Sequence, residues 1–234
     1  AIKANLLIST LVFFALPAIY LSIRQPRLIA RAGIFAGIFG LPVFAIIDYL
    51  AETSGSWVIS RSLFNFRFLG VVPIEQLLWG FFGVYFVIMF YERFFEPKHR
   101  KIAGSRMKYL GIAAFCSLAL FSYALANSAV NFSIEYFYLK LGLLMVALPT
   151  VFVLAGFPAL LGKFLKTGVY FSLLSLIYEL TALRHDQWSF PGKEFVGMIK
   201  ILGASFPIEE LVFWIALGSL ATLSFYEVFD DDRK

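Results

Sequence analysis

The sequence predicts an all-α membrane protein in which seven transmembrane helices form two parallel three-helix repeats joined by a linking helix. Composition, the spacing of apolar stretches and an internal repeat lead to this fold class. Hydrophobic residues make up 60% of the 234 residues and charged residues only 15%, more apolar surface than a soluble domain of this length can bury. The net charge of +5 fits loops that face anionic lipid and needs no nucleic-acid partner.

Seven apolar stretches are long enough to cross a bilayer, because a helix needs roughly 20 residues for the hydrocarbon core. Short polar loops separate them, whereas the strands of a transmembrane barrel would give alternating segments of about ten residues. The predicted spans are 5–23, 33–51, 72–95, 109–126, 136–157, 164–183 and 206–229.

Basic residues predict the orientation of these spans. Thirteen of the twenty Lys and Arg residues fall on one side of the predicted helices. The positive-inside rule therefore places the amino terminus outside and the carboxyl terminus in the cytoplasm, in the cell membrane. The thirteen are Arg24, Arg27, Arg31, Arg93, Lys98, Arg100, Lys101, Arg106, Lys108, Lys163, Lys166, Arg233 and Lys234.

An internal repeat is carried by matching motifs in the same order in both halves, offset by about 131 to 135 residues. Pro73-Ile74-Glu75-Gln76 and Pro207-Ile208-Glu209-Glu210 each open an apolar stretch. The other matching pairs are Ala15-Leu16-Pro17 with Ala147-Leu148-Pro149, Asp48 with Glu179, Trp57 with Trp188, and Phe90-Tyr91-Glu92 with Phe225-Tyr226-Glu227. The chain is therefore predicted to contain two copies of one three-helix unit.

The repeat fixes the predicted domain organisation. Residues 1–107 form the first repeat, 108–130 the linking helix and 131–234 the second repeat. Three helices are an odd number, so the linking helix turns the second copy parallel to the first. Parallel copies bring matching residues to the same side of the bilayer.

Five carboxylates are expected to converge near the outer leaflet. An ionised carboxylate near the bilayer interior costs on the order of 3 kcal/mol, which favours a functional use. Pro73 and Pro207 predict kinked or re-entrant helix starts that bury the following acids. Proline followed two residues later by glutamate is also ordinary helix-start chemistry, which is the alternative interpretation. The acids are Asp48, Glu75, Glu179, Glu209 and Glu210.

Large rings are expected to share a helix face with these acids. Trp79 follows Glu75 by four residues, and Phe213 and Trp214 follow the paired glutamates by the same spacing. Burial and a neighbouring carboxylate favour a protonated acid, which can donate a proton. Aromatic faces can shelter the carbocation that follows, although aromatic residues are common in membrane proteins anyway.

These features resemble the integral-membrane lycopene beta-cyclase family, with the two halves fused in one chain. The most specific segment is Phe206–Trp214, which includes the doubled acid. The resemblance implies cyclisation of the linear ends of lycopene to beta-ionone rings without net redox change. It implies Glu209 and Glu210 as the main acids, Glu75 as their partner, Asp48 and Glu179 as supporting acids, and Trp57, Gln76, Trp79, Trp188, Phe213 and Trp214 as substrate-binding residues.

Two other functions remain open from the sequence: a cyclase of longer or modified, C50-type carotenoids, and a proton-coupled transporter. A transporter predicts polar residues through both leaflets, but the inner halves are apolar until Glu92 and Glu227, which we expect at the interface. No metal site is predicted, because His99 and His185 both lie in loops. No cofactor is predicted either, although a reduced flavin or nicotinamide acting from outside stays open. The expected ligand is lycopene or a related linear carotenoid from membrane lipid, and the oligomeric state is left open.

Overall fold

A computed structural model describes residues 5–59, 61–96, 106–127 and 134–229 of the chain. It is mostly helical, and six of its helices are long and apolar enough to cross a membrane. A seventh span results if a helix pair bent by 50° is counted as one, and we call this pair the broken span. The prediction of a helical membrane protein is confirmed at this level. The spans are Leu6–Arg24 (span 1), Pro26–Ser54 (span 2), Ile74–Phe94 (span 3), Met107–Ala126 (span 4), Phe137–Gly156 (span 5), Pro158–Arg184 (span 6), and Glu210–Ala216 with Gly218–Phe229 (the broken span).

Some residues used in the sequence predictions lie outside the described ranges. These are the loop residues Lys98, His99, Arg100 and Lys101 and the terminal Arg233 and Lys234, together with the junction at 128–133 between the predicted linking helix and second repeat. Within the described ranges, span 3 is the most buried of the six helices, and span 4 packs along span 2 with most of its surface exposed.

Spans 2 and 6 begin earlier than predicted, at Pro26 and Pro158 instead of near residues 33 and 164. Each proline starts a single 3₁₀ turn that leads directly into the α-helix. Proline suits this position because its fixed φ matches the first helical turn and its missing N–H is not needed there. The residues before them, Gln25 and Phe157, share nearly the same non-helical backbone, with φ of −138° and −137°.

In the described parts of the chain, four π-helical segments widen the helices locally, and three of them have a common cause. The segments Leu11–Ala15, Ala36–Gly40 and Gly142–Ala147 are each followed by an α-helix with proline at its second position. Proline provides no N–H, and its ring clashes with the carbonyl one turn earlier, so the preceding turn cannot keep regular α geometry. The fourth segment, Glu210–Ala216, ends in the bend of the broken span.

The π segment of span 2 coincides with one extra residue in the first half. Pro158 follows Pro26 by 132 residues, but Glu179 follows Asp48 by 131, so the first copy is one residue longer between these positions. Ala36–Gly40 lies in that interval, and span 6 has α-helix there. A π turn holds one more residue per turn than an α turn, so it absorbs the extra residue without rotating the rest of the helix.

The π segment of the broken span coincides with one extra residue in the second half. Pro207 follows Pro73 by 134 residues, and Tyr226 follows Tyr91 by 135. Glu210–Ala216 lies between these positions, whereas span 3 is a continuous α-helix. Within the helices, the two halves therefore depart from each other at the two places where their sequence spacing changes. A third change falls in the loops, because Pro73 follows Trp57 by 16 residues and Pro207 follows Trp188 by 19.

A short β-hairpin precedes span 3 and another precedes the broken span, where kinked or re-entrant starts were predicted. The first pairs β1 (Arg67–Phe68) with β2 (Val72–Pro73), and the second pairs β3 (Met198–Ile201) with β4 (Ala204–Pro207). Each proline ends the second strand of its two-stranded sheet, where its missing N–H is tolerated at an edge. The acids that follow are buried as predicted, with Glu75 1% and Glu209 2% exposed.

The two hairpin turns have the same backbone conformation. Leu69-Gly70 and Leu202-Gly203 each occupy positive φ at both residues, between 48° and 89°. Positive φ at both central residues suits the twist of an antiparallel hairpin, but a branched side chain such as leucine rarely adopts it. Each hairpin thus holds one leucine in a strained conformation next to a helix that begins with glutamate.

Matching residues of the two halves contact each other directly in the loops that follow spans 2 and 6. Val58 and Ser189 form an isolated antiparallel bridge, with N–H to carbonyl distances of 2.9 and 3.0 Å in the two directions. These residues are equivalent in the repeat because they follow the matching Trp57 and Trp188. A reciprocal pair of bonds between equivalent residues has local two-fold symmetry.

A second reciprocal contact lies at the other end of span 3, in a buried polar cluster. The Tyr91 hydroxyl donates to Glu227 Oε1 at 2.5 Å, and the Tyr226 hydroxyl donates to Glu92 Oε1. Arg31 donates its Nε to Tyr226 and lies 3.1 Å from Glu92. Arg31 lies within the helix Ile29–Phe35 and not in the predicted loop, and its side chain and those of Glu92 and Glu227 are at most 6% exposed. Each of these side chains can be buried only because the others are its partners, since a buried charge without partners is costly.

Replacing Arg31 by methionine should destabilise the protein strongly, because it leaves the buried Glu92 carboxylate without the guanidinium. We expect a loss of roughly 3–5 kcal/mol in the free energy of unfolding. Arg24→Met makes the same change at an exposed position and should cost no more than about 0.5 kcal/mol. Unfolding by denaturing detergent, followed by circular dichroism, measures both; equal stability of the two variants would contradict the buried ion pair.

Candidate active site

An apolar cavity of about 160 Å³ lies among the spans, and all four tryptophans of the chain line it. A cavity of roughly 150 Å³ lined by apolar side chains holds a molecule the size of benzene. The space therefore fits one ring-sized group. The tryptophans are Trp57, Trp79, Trp188 and Trp214.

Each of the four π-helical segments contributes a side chain to this cavity. Phe14 comes from span 1, Phe39 from span 2, Val146 from span 5 and Glu210 from the broken span. π turns in helices often occur at functional sites, where the widened backbone re-aims side chains. The cavity thus lies where the helices depart from regular geometry.

Two of the five predicted acids reach the cavity. Glu210 and Glu179 line it together with Gln76, which occupies the position in the first half that Glu210 occupies in the second. Both glutamates are at least nine-tenths buried. Two carboxyl groups therefore face one apolar space from the broken span and from span 6.

Glu210 contacts Tyr138, which packs with Trp57 and Trp214 in what we call the first aromatic group. The Tyr138 hydroxyl donates to Glu210 Oε2. The Tyr138 ring stacks on Trp214 with centroids 6.1 Å apart and meets the edge of Trp57 at 5.2 Å. One carboxyl oxygen of Glu210 is thus held by a phenol, within a set of large rings.

Glu179 is surrounded by the second aromatic group, Trp79, Tyr178 and Trp188. The Trp188 indole donates from Nε1 to Glu179 Oε1 at 3.0 Å. Tyr178 lies 5.3 Å from Trp188 and stacks almost parallel to Trp79 at 6.4 Å, centroid to centroid. Each aromatic group combines one tryptophan from each half of the chain, so neither half builds a complete site.

Glu75 and Glu209 do not line the cavity; they hold the loops that precede the hairpins. Glu75 accepts hydrogen bonds from the Ser62 hydroxyl at 2.8 and 2.9 Å and from the backbone N–H groups of residues 63 and 64. Glu209 accepts one from the Val196 N–H at 2.6 Å. Neighbouring helical residues point about a quarter turn apart, so only one member of each motif pair can face the cavity. The structure thus places Glu75 and Glu209, for which the sequence predicts catalytic roles, outside the cavity lining.

Asp48 and Phe213 also lie outside the cavity lining. Asp48 is completely buried behind Gln76, whose amide donates to Asp48 Oδ1 at 3.3 Å. Phe213 packs with Val146 beside the cavity, and Trp214 packs against the same small cluster while also lining the cavity. Asp48 is thus placed to orient Gln76 and does not face the cavity space.

Tyr138 and Tyr178 were missed by the sequence predictions, although both line the cavity. Tyr138 lies at the start of span 5 and is distant in sequence from every acid motif. Tyr178 is adjacent to Glu179, but its ring was not distinguished from the many aromatic residues of the chain. The only signal in the sequence was the polar hydroxyl within otherwise apolar spans.

Among the residues that the structure describes, no group of three or more His, Cys, Asp or Glu side chains could hold a metal ion. No protein-family model, curated protein or solved structure matches this chain significantly. The resemblance to the lycopene beta-cyclase family therefore remains a prediction from the motifs themselves.

Replacing Glu75 by glutamine should loosen the loop that this carboxylate anchors, because hydrogen bonds to a charged acceptor contribute about 1.5–3 kcal/mol. We expect trypsin to cleave after the exposed Arg61 roughly tenfold faster. Glu210→Gln, which changes a cavity residue, is the matched control and should leave this cleavage rate unaltered. Limited proteolysis of the protein in detergent gives both rates, and equal rates in the two variants would contradict the anchoring role.

Proposed function

We propose that this chain is a carotenoid cyclase that converts the linear ends of lycopene to beta-ionone rings. The observation that carries the proposal is the pair of carboxyl groups, each with its own aromatic group, facing one ring-sized apolar cavity. Ring closure of a linear polyene end requires a proton donor, shelter for a carbocation and a proton acceptor. The cavity residues can supply all three.

Glu210 is the proposed proton donor. Its Oε2 accepts the Tyr138 hydroxyl, so Oε1 is the oxygen that carries the proton. Removal from water favours the neutral form of a carboxyl group, and a neutral carboxyl group can act as a general acid. Transfer of its proton to the terminal double bond of the substrate produces a tertiary carbocation.

The aromatic groups are proposed to stabilise this cation while the ring closes. Indole faces attract cations more strongly than other aromatic rings, and the attraction grows when water is excluded. The next double bond of the polyene attacks the cationic carbon, which closes a six-membered ring and moves the positive charge onto the ring. The cavity is large enough for this ring, so the remaining chain must extend away from it.

Glu179 is the proposed base that removes the final proton. An indole N–H can only donate, so the Trp188 contact requires Glu179 Oε1 to be an acceptor, which suits a group that takes up a proton. Proton loss to Glu179 neutralises the ring cation and leaves a ring double bond. One proton enters and one leaves the substrate, so no oxidant or reductant is needed.

The proposal extends to the arrangement and orientation of the helices. We propose two parallel repeats, 1–107 and 131–234, joined by a linking helix at 108–130, with the amino terminus outside and the carboxyl terminus in the cytoplasm. Reciprocal contacts at both ends of span 3 support a two-fold axis along the helices. In this arrangement Glu75 and Glu209 anchor loops, and Asp48 orients Gln76.

A proton-coupled transporter is the second candidate, because the buried cluster around Arg31 and Glu92 gives this fold polar groups at both ends of span 3. A transporter also needs a relay between these ends. Residues 77–90 of span 3 and 211–225 of the broken span contain no charged side chain. The cavity and the cluster are therefore separated by apolar helix, which favours the cyclase.

Pigment analysis in a bacterial host that accumulates lycopene tests the proposal. The intact chain should convert red lycopene to cyclic carotenoids, and Glu210→Gln or Glu179→Gln should lower conversion by at least about a hundredfold, the usual contribution of a general acid or base. Glu209→Gln is the matched control and should keep conversion within about threefold. Unchanged lycopene with abundant, folded protein would refute the cyclase, and an active Glu210→Gln with an inactive Glu209→Gln would refute the assignment of the acid.

Replacing Tyr138 by phenylalanine should lower conversion about tenfold to a hundredfold, because it removes the one hydroxyl that orients the Glu210 carboxyl group. Tyr178→Phe also removes a hydroxyl from the cavity wall, but that hydroxyl contacts Thr10 at 3.4 Å and no acid. We expect it to cost no more than about threefold. Conversion per unit of membrane protein in the same host compares the two, and equal losses would contradict the orienting role.

A further inference from the structure

Four polar groups on the cavity wall have no hydrogen-bond partner among the described residues. They are the indole Nε1 atoms of Trp57, Trp79 and Trp214 and the hydroxyl of Ser219, and each of these atoms is buried. A buried donor left without an acceptor lowers stability, so native proteins leave few of them. One buried oxygen of Asp48 and one of Glu209 also lack a partner, but these atoms lie outside the cavity wall and carboxylate oxygens accept. Among the described residues, the buried side-chain N–H and O–H donors without an acceptor all lie on the wall of this one apolar space.

Ser219 differs from three other serines in the spans. Ser22, Ser122 and Ser224 each donate their hydroxyl to the backbone carbonyl four residues earlier, the usual arrangement for serine within a helix. Ser219 makes no such bond, although it is 92% buried, and it lies directly after the bend of the broken span. Its hydroxyl therefore stays available to whatever occupies the cavity.

Two of the indole donors belong to the aromatic group whose Tyr138 binds the proposed acid. They are Trp57 and Trp214 of the first aromatic group, whose ring centroids lie 6.2 Å apart. Trp79 belongs to the second aromatic group on the other wall. An indole N–H can only donate, so the missing partner must be an acceptor.

A hydrocarbon end group provides no acceptor. We propose that the cavity binds acyclic isoprenoid end groups that carry a hydroxyl or keto oxygen, and that Ser219 and the indole N–H groups hold this oxygen. The inference rests on the proposed cyclase function and names its substrate class. An oxygen of either kind accepts up to two hydrogen bonds, so Ser219 and one indole can satisfy it together.

Water in the cavity would satisfy the same donors in the absence of substrate. The preference for an oxygenated substrate over a hydrocarbon remains when this water is considered. A hydrocarbon end that displaces the water leaves the donors without acceptors, whereas an oxygenated end replaces the lost hydrogen bonds. The proposed chemistry is unchanged in both cases, because the oxygen takes no part in protonation, ring closure or proton loss. The donors therefore select the substrate without altering the reaction.

A competition between two substrates tests the inference. Membranes that contain the intact chain are given equal amounts of lycopene and of an acyclic carotenoid of the same length whose end isoprene units carry a hydroxyl or keto oxygen and keep both reacting double bonds. We expect the oxygenated substrate to be cyclised at least about tenfold faster, and Ser219→Ala to reduce this preference toward onefold. Ser224→Ala removes a buried hydroxyl outside the cavity and should keep the full preference.

The outcomes separate this inference from the proposed function. Cyclisation of lycopene as fast as the oxygenated substrate, or an undiminished preference in both Ser219→Ala and Trp214→Phe, would overturn the inference and leave the cyclase intact. If neither substrate is cyclised, the proposed function fails, and binding is then measured by quenching of tryptophan emission, since every tryptophan lines the cavity. Tighter binding of the oxygenated molecule would support the inference even then, and equal binding would overturn it.

Discussion

The bilayer interior offers no water to buried polar groups, and the rest of the structure follows from this constraint. Every polar side chain placed at depth needs a partner within the protein. Arg31 is buried with Glu92 and Tyr226, and Glu75 and Glu209 are used to hold backbone N–H groups of loops. The cavity wall departs from this pattern, because aromatic residues partner Glu179 and Glu210 while three indole N–H groups have no acceptor among the described residues. One oxygen of Asp48 and one of Glu209 also lack a donor, but they lie outside the cavity wall.

The helices of the two halves are arranged alike, but they differ at two interruptions of the regular α-helix. Matching prolines, 3₁₀ turns, hairpins and reciprocal contacts keep the helices of both halves in equivalent places. One extra residue in each half is absorbed by a π turn, in span 2 of the first half and in the broken span of the second. The second interruption brings Glu210 and Trp214 into the cavity, where the first half presents Gln76 and Trp79 from a regular helix. The difference between the two halves at the cavity wall, an acid in one and an amide in the other, thus coincides with a small departure in helix geometry.

Much of the fold could be predicted from the sequence, because span length and composition are set by the bilayer and a repeat is visible as matching motifs. The direction of individual side chains could not be predicted equally well. Glu209 and Glu210 are neighbours, so composition cannot tell which one faces the interior, and the π turn alters the usual helical spacing after them. The burial of Glu92 and Glu227 depends on tyrosines from the opposite half, and Tyr138 reaches Glu210 across 72 residues of sequence. Such contacts between distant segments leave no local pattern.

The bridge between Val58 and Ser189 joins equivalent residues, as would the interface of a homodimer built from one repeat. In such a homodimer, a single substitution appears twice, once on each wall of a cavity on the symmetry axis. An acid at the position of Glu210 would then always face a second acid, and two like charges would be confined in one small apolar space. When the two copies are encoded separately, their sequences can differ at equivalent positions. The amide of Gln76 can therefore occupy the position where a symmetric homodimer would have a second carboxyl group.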